Sequence, residues 1–235
     1  MLNDLYHMLD PVAFSAGPIT IYWYGIAYVV GSILAGLIIG GRLFYVIFYG
    51  DGYYFTHPLE IFATNQGGMS FHGGLVGGLV GGYIVCRMLK LSAWTIADLA
   101  IIGVPLALAL GRCANFVNGE LWGKPTDLPW GGVFGGSAGE IPRHPSQLYE
   151  AFLEGIVLFV ILYSMSRKKK LPPQGAFIGT FVLGYGVVRF LIEFVRVPDA
   201  QLGQLLSLPL IVIGAALLFY AYKASRPQHA FLDED

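Results

Sequence analysis

The chain has 235 residues, 55% of them hydrophobic and only 12% charged, with a formal net charge of −1 and a mean hydropathy of +0.63. Water-soluble domains carry about 25% charged residues, so most of this chain is suited to solvation by lipid. The lack of a basic surplus excludes a nucleic-acid binder. Two cysteines, Cys86 and Cys113, are too few for a disulfide framework and read as small buried apolar residues.

The first residues, M-L-N-D-L-Y-H-M-L-D, lack the basic stretch of a cleavable signal, so the first apolar run is expected to be retained. That run, Ile21 to Tyr49, is interrupted by Arg42 alone. It would make about 43 Å of helix, too long for one ~30 Å hydrocarbon core and too short for two crossings. Either it crosses once, with a cytoplasmic N-terminus, or it folds back near Gly40-Gly41. Five further apolar segments follow at 71–86, 91–111, 147–166, 176–195 and 202–222. All are apolar on every face rather than alternating, which argues for helices and against a barrel. The expected fold is all-α: a polytopic integral membrane helical bundle forming a single transmembrane domain over 1–235, with a small extracytoplasmic loop region at 112–146.

Basic residues set the expected orientation. Arg87 with Lys90, Arg167 to Lys170, and Lys223 with Arg226 mark cytoplasmic ends. The ends near His72, Arg112 to Pro145 and Val197 to Gln204 then face outward, and the unusual polar residues gather there. Within the second segment, G-G-L-V-G-G-L-V-G-G places glycines from Gly73 to Gly82 on one helix face, suited to close helix packing or to a lipid chain.

The third segment leads into G-R-C-A-N-F-V-N-G-E-L-W-G, Gly111 to Gly123. Arg112 and Asn115 share a helix face. Arginine presents a planar fork that grips a phosphate through two oxygens, and ionisable groups at a span end mark a functional site. Asn115, Asn118 and Glu120 either fix glycerol hydroxyls or cap the helix and orient Arg112. On the fourth segment Gln147, Glu150 and Glu154 form a polar stripe suited to pairing with an arginine, and Ser146 is placed to cap its start. On the fifth, Tyr185, Arg189 and Glu193 recur every four residues; either Arg189 pairs with Glu193 and locks helices together, or Glu193 bonds elsewhere too and Arg189 is left to clamp a phosphate. His72 stands at the outer end of the second segment, either as a general base or as a hydrogen-bonding residue. No metal-ligand spacing, P-loop, dinucleotide fingerprint or serine-nucleophile elbow occurs.

These blocks resemble the bacterial prolipoprotein diacylglyceryl transferases. The similar stretches are W-Y-G near the start, G-G-M-S-F-H-G-G, G-R-C-A-N-F-V-N-G-E-L-W-G-K-P-T, R-H-P-S-Q-L-Y-E, G-Y-G-V-V-R-F-L-I-E-F and R-V-P-D-A-Q, in family order from Tyr22 to Pro209. The resemblance implies transfer of the diacylglyceryl group from phosphatidylglycerol to a lipobox cysteine thiol, forming a thioether and releasing glycerol phosphate. It implies His72, Arg112 and Arg189 as catalytic residues. Tyr24, Asn115, Asn118, Glu120, Gly123, Glu150, Tyr185 and Glu193 match positions around the headgroup. The expected partners are phosphatidylglycerol, the prolipoprotein lipobox peptide and the bilayer, with no cofactor and no metal. The expected location is the bacterial inner membrane, with the site toward the outer leaflet. The chain is shorter than the family pattern in the first segment and after P-D-A-Q. Two other classes therefore stand beside the enzyme: an inactive lipid-binding member of the family, and a small transporter with charges lining its path.

Overall fold

The computed structural model describes residues 12–16, 19–64, 67–197 and 202–229. Two strands, β1 (Val12–Ala16) and β2 (Ile19–Tyr22), pair antiparallel ahead of the first helix, a small addition to the all-α expectation. The helices are α1 (Trp23–Tyr49), α2 (Tyr53–Thr56), α3 (Phe71–Met88), α4 (Ala93–Ile101) and α5 (Val104–Val117). They continue with α6 (Ser146–Ser166), α7 (Ala176–Ile192) and α8 (Leu202–Ala224). Every apolar segment expected from the sequence is mainly helical, although Ile21 and Tyr22 belong to β2 and the 91–111 segment is divided between α4 and α5. Among the described residues four stretches are long and apolar enough to cross a membrane, Ala27–Tyr49, Ala93–Val117, Ser146–Ser166 and Ser207–Ala224, and Ala176–Ile192 is a shorter apolar helix.

The chain divides into two compact units, residues 1–96 with 229–235, and residues 97–228. In the first, α1 is one unbroken helix of 27 residues, about 40 Å long, so it does not fold back at Gly40-Gly41. Those glycines serve packing instead. A Cβ at Gly36, Gly40, Gly73 or Gly77 would strike a backbone carbonyl of the facing helix, so α1 and α3 touch main chain to main chain. Arg42, buried on α1, turns the following loop back toward this pair. Its guanidinium donates to the carbonyls of Ile61 (2.7 Å), Gly67 (2.8 Å), Gly68 (3.0 Å) and Glu60 (2.5 Å), and it lies over the rings of Tyr45 and Tyr54. The loop then enters α3 through Ser70, whose hydroxyl caps the Gly73 amide at 3.3 Å.

In the second unit Pro105 sits in the first turn of α5, next to the break that separates α5 from α4. Helices α7 and α8 pack through Gly179, Gly186 and Gly214, each pressed against the other helix. Asp98 is buried and accepts from the amides of Gly175 (2.7 Å) and Ile178 (3.0 Å) at the start of α7 and from Gln228 (2.7 Å). A carboxylate there satisfies orphan amides and complements the helix dipole.

The distribution of side chains suits lipid rather than water. The fully buried large residues include Gln147, Glu150, Glu154 and Asp98, while Ile47, Leu79, Val212 and Phe219 are among many large apolar residues on outer faces. A water-soluble bundle would reverse this arrangement. Of the two cysteines, Cys86 is buried as expected, whereas Cys113 is exposed. The helical pitch turns Cys113 about 100° away from the inward-facing Arg112.

Candidate functional site

The second unit gathers a buried cluster of ion pairs at one end of its helices. Close packing makes this possible: a Cβ at Gly155 on α6 would collide with Ala109 on α5, one turn before Arg112, and a Cβ at Gly184 on α7 would lie 2.6 Å from Leu158 Cδ2 on α6. With those glycines, α6 approaches both neighbours. Within α6 the hydrogen-bonding pattern widens to a π-helix over Ala151–Val157, a distortion common at functional sites. Glu150 ends the preceding α-helical turn and Glu154 lies inside the π-helix.

Glu150 and Glu154 are 1% and 0% exposed, and three arginines converge on them. Arg112 Nε lies 2.5 Å from Glu150 Oε2, and Arg112 Nη2 lies 3.8 Å from Glu154 Oε2. Arg189 Nη1, from α7, lies 3.3 Å from the same Glu150 oxygen and 3.6 Å from Glu154 Oε1. Arg196, just beyond α7, places Nε 3.9 Å from Glu150 Oε1. The contacts are ionic more than directional, since the carboxylate oxygens have no hydrogen bond of good geometry. The two carboxylates lie beneath guanidiniums that keep 13–18% of their side-chain surface exposed. Buried carboxylates that pin partly open arginines leave the outward donors of those arginines available to an anion.

Beside this cluster, the G-R-C-A-N-F-V-N-G-E stretch closes on itself. Asn115 and Asn118 donate to Glu120 Oε1 at 2.9 and 3.2 Å, and the Glu120 amide donates to the Asn115 carbonyl at 3.0 Å. These bonds hold the exposed Glu120 carboxyl below the ordinary carboxylate range. Gln147 donates to the Glu120 carbonyl (2.6 Å) and Ser146 to the Leu121 carbonyl (3.0 Å), so α6 clamps this loop directly. Ser146 is therefore not a helix cap as expected. Pro145 occupies the cap position without a side-chain bond, and the hydroxyl serves a distant carbonyl.

Gly123 sits where three segments meet. Its amide donates to the His144 carbonyl at 2.8 Å and its backbone bridges Arg196. A Cβ there would lie 2.6 Å from the Val195 carbonyl oxygen and 2.7 Å from His144 Cβ. Only glycine allows this approach, and the approach holds the 194–196 segment in place. Lys124 adds bonds from its amide to Val195 O and from Nζ to Phe194 O, both 2.8 Å.

Arg112, Arg189 and Glu150 thus meet. Tyr185 lies one turn before Arg189, its ring stacked on Phe181. Of the two alternatives for Arg189, the pair with Glu193 is not the one seen: among the described residues Arg189 has ion-pair contacts with Glu150 and Glu154, while Glu193 is buried at the end of α7. A rigid helix sends Arg189 across to α6 instead of along its own axis. His72 belongs to the first unit, exposed at the second residue of α3. Tyr24 lies in α1 with its side chain outside the described residues, as is the Pro198 to Gln201 stretch. Arg196 was absent from the expected site, whereas Glu154, read with Gln147 and Glu150 as a stripe suited to pairing with an arginine, does lie against Arg112 and Arg189. Glu154 carried a signal in its i, i+4 relation to Glu150. Arg196 lies past the helix end, where periodicity gives no guidance. Among the described residues no group of three or more His, Cys, Asp or Glu is arranged to hold a metal ion.

Comparison with known proteins gives the family. The family model described as "Prolipoprotein diacylglyceryl transferase" matches residues 32–220. A phosphatidylglycerol–prolipoprotein diacylglyceryl transferase of Cupriavidus metallidurans is 44% identical over 255 residues, covering 91% of this chain and 94% of that protein. Relatives of the same name from Methylococcus capsulatus and Geobacter sulfurreducens are 44% and 43% identical, covering 92% and 89% of this chain and 97% and 94% of their own lengths. An alignment of 255 positions exceeds the 235 residues present, so this chain carries gaps relative to the Cupriavidus protein. With the family model and relatives above 40% identity each matching most of its length, the chain belongs to the prolipoprotein diacylglyceryl transferase family.

Proposed function

We propose that this protein transfers the diacylglyceryl group of phosphatidylglycerol to the lipobox cysteine of exported prolipoproteins. The observation that carries the reading is the meeting of Arg112 and Arg189, from two helices, on one buried carboxylate oxygen of Glu150. The names of the relatives supply the two substrates.

In this reading the phosphodiester lies against the open faces of Arg112 and Arg189. The cysteine sulfur attacks the glyceryl carbon that bears the phosphoester oxygen. A carbon–sulfur bond forms, the carbon–oxygen bond breaks, and its electron pair leaves on the phosphate of glycerol phosphate. The guanidiniums stabilise the charge that grows there, and their carboxylate partners pre-orient them so that little reorganisation is needed. A free thiol has a pKa of about 8.5 and attacks as the thiolate. His72 is assigned as the acceptor of its proton. Asn115, Asn118 and Glu120 form the wall facing the glycerol hydroxyls, with Tyr24, Tyr185 and Glu193 around the headgroup, and Gly123 keeps the wall in place. The reaction needs no cofactor.

The whole chain acts as one multi-pass domain of the inner membrane with this site toward the outer leaflet. Support comes from the basic residues at the far ends of the helices. Arg167 to Lys170 follow α6, and the Gln174 amide bonds the Arg226 carbonyl at 2.9 Å, so the two basic ends lie together. They are about 20 Å along α6 from Glu154, consistent with cytoplasmic anchoring of positive charge.

The test mixes purified protein, phosphatidylglycerol and a synthetic lipobox peptide and follows peptide mass. A gain of one diacylglyceryl group with release of glycerol phosphate is expected. Binding of phosphatidylglycerol without any mass gain would replace the enzyme with a lipid-binding protein.

A further inference from the structure

His72 stands in the first turn of α3, so its position depends on how the chain enters that helix. The entry, Gly67-Gly68-Met69-Ser70, begins with two glycines in left-handed conformations, φ 84° and 77°. Consecutive glycines have the most conformational freedom to lose on folding, so this stretch needs bonds from outside itself. They come from α1. Arg42, 6% exposed, donates through Nη1 to the Gly67 and Gly68 carbonyls at 2.8 and 3.0 Å. The carbonyl of its neighbour Gly41 accepts from the Ser70 amide at 2.9 Å. Ser70 then caps the Gly73 amide, and His72 lies inside the capped turn.

The guanidinium is built into this place. Its Nε and Nη2 hold the Ile61 and Glu60 carbonyls, so one rigid group ties together two stretches of the loop that precedes α3. The rings of Tyr45 and Tyr54 lie 5.8 and 5.2 Å from its central carbon. A Cβ at Gly68 would come 2.7 Å from both Arg42 Nη1 and Tyr45 Cε1, so glycine is what lets the main chain lie against the guanidinium. Among the described residues every hydrogen bond of Arg42 goes to a main-chain carbonyl. Gathering four carbonyls is a task for the fork of an arginine rather than for a point charge. A buried cation used in this way fixes backbone.

We propose that Arg42 is the positioning residue for His72: by holding the Gly67 and Gly68 carbonyls it sets where α3 begins and hence where the imidazole stands. This rests on reading His72 as the group that accepts the thiol proton. Such a base has to lie within hydrogen-bond reach of the proton it takes, and a displacement of about 1 Å costs on the order of 100-fold in rate. Arg42 acts through the backbone that joins it to His72.

The experiment follows transfer from phosphatidylglycerol to a lipobox peptide by the full chain in detergent, beside thermal unfolding. It compares wild type, Arg42→Gln, His72→Gln and the double variant. Arg42→Gln should lose on the order of 100-fold in kcat, with KM for phosphatidylglycerol unchanged. In the double variant the two losses should not multiply, because an imidazole already displaced has nothing more to contribute. Above the thiol pKa of about 8.5 the nucleophile ionises unaided, so the deficits of Arg42→Gln and His72→Gln should shrink together. A wild-type kcat in Arg42→Gln overturns the proposal. So do losses that multiply, or an Arg42→Gln deficit that persists at high pH while that of His72→Gln recovers. If Arg42→Gln does not fold, Gly68→Ala, which pushes the same backbone off the guanidinium and keeps the cation, decides by the same readings. An impaired His72→Gln beside a fully active Arg42→Gln removes this proposal alone. A fully active His72→Gln removes the assignment of His72 as well, and a wild type that transfers nothing removes the enzyme reading with both.

Discussion

Arg112 and Arg189 reach the same oxygen of Glu150, at 2.5 and 3.3 Å, although they stand on different helices and belong to distant parts of the chain. One buried carboxylate thus sets the spacing between two guanidiniums. Glu154, at 3.8 and 3.6 Å from the same two arginines, adds to the offset of their mutual repulsion.

Glu150→Ala should therefore act on both arginines at once. Removing one partner of a buried ion pair costs about 3–5 kcal/mol, and the freed guanidiniums should repel each other. Thermal unfolding in detergent should show a matching loss of stability, and diacylglyceryl transfer should vanish. A variant with wild-type stability and activity would contradict the role of Glu150 as the hub.

Arg112→Lys tests the geometry of the fork. An ammonium can keep an ion pair with Glu150, but it cannot hold that carboxylate and a phosphate through separate in-plane donors. Transfer should fall about 100-fold, the usual cost of losing one transition-state donor, with a smaller effect on stability. Activity near that of the wild type would remove Arg112 from the phosphate site.

Gly123→Ala introduces a Cβ 2.6 Å from the Val195 carbonyl oxygen and 2.7 Å from His144 Cβ. Overpacking of this kind costs about 1–3 kcal/mol, and the segment displaced carries Arg196. Unfolding should come earlier, and phosphatidylglycerol binding should weaken in the same variant.

The contact between α1 and α3 can be tested separately. Gly77→Val would push a branched side chain into the Gly36 backbone and should destabilise the protein by about 1–3 kcal/mol. Gly31, with open space around its Cβ position, is the control: Gly31→Ala should leave the unfolding midpoint in place.

Glu120 provides a pH test. Its carboxyl is held low by the Asn115 and Asn118 amides, so the ionised form is favoured in the folded state. Any stability this adds is present above the unfolded carboxylate pKa and is lost as pH falls through the lower folded value. Asn115→Ala should raise the Glu120 pKa toward the ordinary value, as followed by NMR of the labelled side chain. An unmoved titration would show that the amide does not hold the carboxylate.

Much of this molecule was readable before its structure. Long apolar runs with few charges demand helices in lipid, because the backbone must satisfy its own hydrogen bonds there, and every such run is mainly helical. The glycine repeat from Gly73 to Gly82 likewise foretold a close-packed face. The family motifs marked Arg112, Arg189 and Glu150, which do converge.

Tertiary structure alone decided the rest. A helix periodicity says which residues share a face but not which neighbouring helix that face meets, so the sequence left open whether Arg189 pairs with Glu193, and the fold sets it against Glu150 and Glu154. The length of the Ile21 to Tyr49 run was compatible with folding back, and the structure instead shows one continuous helix from Trp23, with Gly36 and Gly40 packed against α3. Arg196 lies in irregular chain, where no period exists to read, and its place beside Glu150 follows from a backbone bridge to Gly123. Composition and period are local properties, whereas an ion-pair network is set by how distant segments pack.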